Sequence, residues 1–268
     1  MKRTNVVTST LNSLSRALSR ALISEQTARR SGVMQSLDPR VRVLGTFLLV
    51  IVIVLVHKIA VLLAVFTGAV VLALASAVTI RTLALRVWFV VLAFTGVIAL
   101  PALFLTPGEP LSSVPSITPQ GLHAAVMLIA RVETAVTLTT ILVLCTPWVE
   151  ILKALRSLCV PREVVMMLAM AYRYIFLLAE TATQMFESRE SRRLGVLPGS
   201  EQRRVVAQTA GVLMSKSLDL SQEVFLAMQS RGYRGDVFTV TDSRLRPRDY
   251  LAILAVAIIA ALALWLGR

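Results

Sequence analysis

Five apolar stretches constrain this chain more than anything else in it: Val43–Val56, Ile59–Ile80, Val87–Leu105, Leu122–Cys145 and Tyr250–Leu266. A bilayer core of about 30 Å takes roughly 20 helical residues, so the last four stretches are at or near spanning length and the first is short for it. The first is the shortest, and it extends if Arg42 contributes, because a long arginine side chain can reach the interface. With 56% hydrophobic residues and a mean hydropathy of +0.74, an ordinary soluble domain is excluded. The expected fold is an all-α polytopic membrane protein with about five transmembrane helices plus long amphipathic cytoplasmic helices.

The net charge of +13 is clustered rather than spread. Residues 1–42 and 186–248 are rich in Lys and Arg, whereas residues 106–122 contain neither. Positive charge flanking apolar spans orients a membrane protein with those segments in the cytoplasm and attracts anionic headgroups. The lipid bilayer is therefore the expected partner of this charge, and a nucleic acid is not. Counting spans from an internal N-terminus leaves the C-terminus outside.

The chain divides into four expected parts. Residues 1–36 form a basic segment, either a short helix on the membrane surface or a disordered arm. Residues 37–146 carry transmembrane helices one to four. Asp38 is placed to cap the first and Pro39 to start it. Arg81 and Arg86 bracket an expected internal loop, and Thr106 to Gly121, with four prolines, reads as an external loop. Within the fourth span Arg131 and Glu133 are costly in lipid and should face protein or water. They are a candidate contact with a partner membrane protein, or a structural pair with other spans.

Residues 147–235 hold three helical patterns. Pro147 starts a short helix and Pro161 ends it. Two long patterns follow, broken at Pro198-Gly199. The first steps through Met167, Met170, Tyr174, Leu177, Thr181, Met185 and Ser188; the second through Val206, Ala210, Leu213, Ser217, Leu220, Val224 and Ala227. Their polar opposite faces place the distal halves on or below the cytoplasmic membrane surface. Residues 236–268 are a polar linker and the last span, with Trp265 as an interfacial anchor.

No catalytic set emerges. His57 and His123 are isolated, Cys145 and Cys159 have neither metal nor disulfide spacing, and no phosphate-binding glycine loop is present. What does stand out is a duplication. Phe186-Glu-Ser-Arg-Glu-Ser191-Arg192-Arg193 and Phe225-Leu-Ala-Met-Gln-Ser230-Arg231-Gly232 each run from a Phe to a Ser-Arg step, in phase with the helical stripe before it. Arginine suits a protein–protein ion pair, since its planar fork meets a carboxylate with two hydrogen bonds and stays charged. Gly232 permits a sharp turn and a close backbone approach. Two similar arginine ends fit two similar partners; ordinary cytoplasmic flanking charge is the plainer alternative.

These residues, together with Leu37-Asp-Pro-Arg40 before the first span and the run Glu223 to Gly235, resemble the transmembrane T component of energy-coupling factor transporters, most of all the cobalt/nickel type. The resemblance covers roughly residues 35 to 266. That family's mark is two Ala-Arg-Gly motifs, each ending a coupling helix. Here Ser191-Arg192-Arg193 and Ser230-Arg231-Gly232 occupy them, both with Ser for Ala and the first without Gly. Arg189 is an alternative contact for the first, and Arg234 follows the second. The resemblance implies a non-enzymatic subunit that joins two ATP-binding cassette ATPase subunits to a substrate-capture membrane subunit in a prokaryotic cytoplasmic membrane. It implies that ATP is bound by the partners and no cofactor or metal by this chain, and it points to cobalt or nickel uptake. The alternatives are a T component for a vitamin, a conventional ABC permease, and a basic membrane scaffold.

Overall fold

The computed structural model describes residues 13, 16, 32–76, 78, 80–105, 119–158, 160–192, 198–234 and 247–267. All regular structure among them is helical. A one-turn 3-10 helix, Met34–Ser36, precedes α1 (Pro39–Leu55), α2 (Ile59–Ala75), α3 (Ile80–Leu83), a π-helical segment (Ala84–Trp88), α4 (Phe89–Leu105), α5 (Pro119–Cys145), α6 (Trp148–Ser157), α7 (Arg162–Ser191), α8 (Gly199–Ser230) and α9 (Pro247–Gly267). The chain is an all-α polytopic membrane protein. It forms two compact units: a bundle of residues 25–154 with 243–268, and a second unit of residues 1–24 with 155–242.

The bundle is built on α1, α2, α5 and α9. Its core joins Val52, Ile53 and Val56 to Leu62, Ala69 and Ala73, to Leu138, Ile141 and Cys145, and to Ala260 and Ala263. Outward faces of the same helices carry exposed Phe47, Val71, Leu254 and Trp265. That inversion suits a lipid solvent, in which exposed apolar side chains carry no penalty. By length and composition α5, α7 and α9 can cross a membrane, and α2 and α4 are shorter apolar helices. At 1.5 Å per residue a 17-residue helix such as α2 is about 25 Å long.

Local signals set the ends of these helices. The Asp38 carboxylate accepts the Arg40 amide at 2.9 Å and Pro39 opens α1, as expected. The Asp38 amide in turn donates to Asp249 Oδ1 at 2.8 Å, so the start of α9 holds the start of α1. At the other end the His57 amide donates to the Gly267 carbonyl at 3.1 Å. Together these bonds fix α9 against the α1–α2 hairpin at both its ends.

The structure corrects two expectations from the sequence. The loop expected between Arg81 and Arg86 is helical: Ile80 runs through to Leu105, with the π segment in the middle. Arginine is a good helix former, and no Gly or Pro stands between Ile80 and Phe94 to stop the helix. A π turn widens the helix by one residue, which shifts the phase of the turns after it. The side chain it displays is Trp88, whose Nε1 donates to Thr137 Oγ1 at 3.1 Å and whose ring lies 5.5 Å from that of Phe66. Secondly, Pro119 opens α5 instead of ending a loop, because proline is at home in the first helical position. The surface segment expected before residue 32 (apart from helical Ser13 and Arg16), the loop expected at 106–118, Cys159 and the linker up to residue 246 lie outside the described residues.

Candidate coupling site

α7 and α8 have 30 and 32 residues, about 45–48 Å each. They run antiparallel. Tyr233, just past α8, donates its hydroxyl to the Met166 sulfur near the start of α7 at 3.3 Å, and Arg189 near the end of α7 donates to Gln208 early in α8 at 3.4 Å.

On α8 the least exposed positions are Gln202, Val205, Val206, Thr209, Leu213, Ser217, Leu220, Val224 and Met228. The expected stripe coincides at Val206 and from Leu213 to Val224. It departs at its flanks, where Thr209 and Met228 face in and the expected Ala210 and Ala227 do not. On α7 the expected Met170, Tyr174, Thr181 and Met185 are shielded, as are Met166, Leu178, Ala182 and Phe186, whereas the expected Leu177 and Ser188 are exposed and Met167 is 68% exposed. Hydrophobicity misled at Met167 because residues 164–172 are apolar on every side, so the inward face carries no contrast there.

Both motif arginines stand at the same place on their helices. Arg192 follows the last residue of α7 with φ −89° and ψ 1°; Arg231 follows the last residue of α8 with φ −88° and ψ 9°. Both side chains are exposed. The serines before them turn inward to their own helices: Ser191 donates to the Glu187 carbonyl at 3.0 Å and Ser230 to the Ala227 carbonyl at 2.9 Å. A cation at a helix C-terminus also meets the negative end of the helix dipole, so each arginine sits where its charge is favoured.

Gly232 explains the second end. Its φ is +82°, a left-handed conformation that a Cβ would strain. The Gly232 amide donates to the Gln229 carbonyl at 3.0 Å and the Tyr233 amide to the Met228 carbonyl at 3.0 Å. This is the paired arrangement of a Schellman cap. It closes α8, leaves Arg231 and Arg234 exposed, and turns Tyr233 toward α7. Sequence reading found Gly232 but missed Tyr233; the residue after a capping glycine is the one that such a motif turns back.

The antiparallel arrangement keeps the two ends apart. Arg231 lies beside the start of α7, and Arg192 is about 40 Å further along that helix, at 1.5 Å per residue from Met166. Their phenylalanines also differ: Phe186 is 4% exposed and Phe225 is 52% exposed. The repeated pattern is therefore alike at its arginine and unlike at its aromatic. Arg193 lies outside the described residues.

Arg131 and Glu133 belong to the bundle and point to different flanks of α5. Arg131 Nη2 donates to the Val56 carbonyl at 2.7 Å, while its Nε is buried with no hydrogen-bond partner among the described residues. The same holds for both carboxylate oxygens of Glu133. A residue the sequence underrated is Arg42, only 6% exposed. It does not reach for the interface. Its nitrogens donate to the carbonyls of Gln35, Leu37 and Cys145, and to Glu150 at 3.2 Å. No group of three or more His, Cys, Asp or Glu able to hold a metal ion occurs among the described residues.

Residues 30–240 match the family model described as cobalt transport protein, CbiQ. An uncharacterized protein of Methanocaldococcus jannaschii is 29% identical over 97% of this chain and 91% of its own length. The nickel permease LarQ of Lactiplantibacillus plantarum is 32% identical over 43% of this chain and 42% of its own length. The cobalt transport protein CbiQ of Rhodobacter capsulatus is 29% identical over 57% of this chain and 62% of its own length.

Proposed function

The chain belongs to the cobalt transport protein family of energy-coupling factor T components, and from that membership we propose that it couples two cytoplasmic ATPase subunits to a substrate-capture membrane subunit. The observation that carries this reading is the matched pair of exposed arginine caps, Arg192 and Arg231, at opposite ends of one helical hairpin. A dimeric motor offers two equivalent grooves, and a hairpin with an arginine at each end can engage both. Each guanidinium meets an acidic residue of one ATPase in a charge-assisted bond. When ATP closes the ATPase pair, the two grooves move the hairpin that they hold at its ends, and the rigid helices carry that motion to the membrane.

In this reading the distal halves of α7 and α8 and the N-terminal segment face the cytoplasm of a prokaryotic cell, and α1, α2, α4, α5 and α9 are the spans. ATP stays on the partners. The transported species is a cobalt or nickel ion, supported by what the two relatives named for those metals are said to carry, and its selection belongs to the capture subunit. Glu133 is the better of the two candidate membrane contacts, since Arg131 already holds Val56 and the Glu133 oxygens have no partner among the described residues.

Gentle-detergent purification of the tagged chain from its native membranes tests this. ATPase subunits and a further small membrane protein are expected in the eluate, with ATP hydrolysis. Recovery of the chain alone, under conditions that keep other transporters assembled, contradicts the reading.

A further inference from the structure

The bundle contains a groove that the coupling role does not use. It lies between α2 and α9 over a floor of α1 and α5, with a volume of about 910 Å³. Small residues form much of its walls, among them Ala64 and Gly68 on α2 and Ala255 on α9. A Cβ built at Gly68 meets nothing within 4 Å, so the groove is open there.

The lining is apolar except for Thr46, Arg42 and Lys58. Arg42 is buried and its nitrogens are engaged by α1's own surroundings. Lys58 is different. It is exposed at the α1–α2 turn, at one end of the groove, and forms no ion pair among the described residues. Lys58 and Leu72 both line the groove, so it runs about 21 Å along α2. The groove is thus long and greasy, running most of the length of α2, with one exposed cation at one end.

We propose that the groove binds an anionic glycerophospholipid from the leaflet on the side of the α1–α2 turn, its acyl chain lying between α2 and α9 and its phosphate on Lys58. The site requires only that the bundle lie in a membrane and is independent of the coupling role. The lipid fills a gap that the protein's own side chains leave open, and the cation selects headgroup charge.

The full chain, purified in mild detergent and stripped of lipid, is given phosphatidylglycerol or phosphatidylcholine and weighed intact by native mass spectrometry. Wild type is expected to retain one phosphatidylglycerol at least tenfold better than phosphatidylcholine. Gly68→Leu, which has open space for its side chain, is expected to lose retention of both lipids while melting like wild type. Ala255→Leu blocks the same groove from the other wall and serves if the first variant does not fold. Lys58→Ala is expected to keep chain binding and lose the headgroup preference. The proposal is overturned if a folded Gly68→Leu or Ala255→Leu keeps the phosphatidylglycerol, if wild type shows no preference for it, or if a cross-linker on Ala64→Cys in intact membranes captures a protein and no lipid.

Discussion

Arg42 and Arg131 perform the same operation in opposite directions. Arg42 on α1 donates to the Cys145 carbonyl at the end of α5, and Arg131 on α5 donates to the Val56 carbonyl at the end of α1. Fourteen residues separate Arg42 from Val56, and fourteen separate Arg131 from Cys145. The two antiparallel helices therefore hold each other at both ends across about 21 Å. Each guanidinium meets carbonyls that a helix terminus cannot satisfy internally, at the negative end of its dipole. In a membrane, where water cannot stand in, such a reciprocal arrangement sets the register of the pair.

The two arginines should not cost the same to remove. Arg42→Met leaves several buried carbonyls and Glu150 without a donor, and a loss of about 3–4 kcal/mol is expected, in the range for breaking a buried pair. Arg131→Met removes one bond and should cost about 1–3 kcal/mol. Arg42→Lys should rescue little, because one ammonium cannot reach acceptors on several sides. Thermal unfolding in a fixed detergent, read by the loss of the monodisperse peak, ranks the three.

Gly232→Ala should cost about 1–2 kcal/mol through its left-handed backbone alone, and Gly232→Asn less. The effect should be local. Hydrogen exchange is expected to quicken at the amides of Gly232 and Tyr233 and in the last turn of α8, with the bundle unchanged.

Asp38 and Asp249 form a capping relay, so their losses should not add. Asp38→Ala removes a cap worth about 1 kcal/mol. Asp249→Ala strands the Asp38 amide and should cost about 1–3 kcal/mol. A double-mutant cycle on melting is expected to show coupling between them, whereas simple additivity would contradict the relay.

Arg231→Lys should weaken assembly with the ATPases nearly as much as Arg231→Ala, because lysine keeps the charge but not the fork. Binding of purified ATPase subunits to each variant measures this. Full retention by Arg231→Lys would mean that positive charge alone suffices.

Much of the fold was legible because its signals are local. Asp38-Pro39 announced the start of α1, and uninterrupted apolar runs announced the apolar helices α1, α2, α4, α5 and α9. The helix through Arg81 and Arg86 was not legible, since the two charges suggest a boundary where nothing breaks the backbone. The register at the start of α7 was hidden because residues 164–172 are apolar all round. The role of Arg42 was hidden for a different reason: its partners lie as far away in sequence as Cys145 and Glu150. At the candidate site, the Ser-Arg steps and Gly232 were readable, but the matching cap conformations of Arg192 and Arg231 and their placement at opposite ends of a hairpin arise only on folding.

The most direct measurement is the number of ATPase subunits carried by each arginine variant, counted by native mass spectrometry of the purified complex. Wild type is expected to carry two, Arg192→Ala one, Arg231→Ala one, and the double variant none, each charge-assisted contact being worth about 1.5–3 kcal/mol. A folded double variant that still carries two ATPase subunits would contradict the coupling role of these arginines.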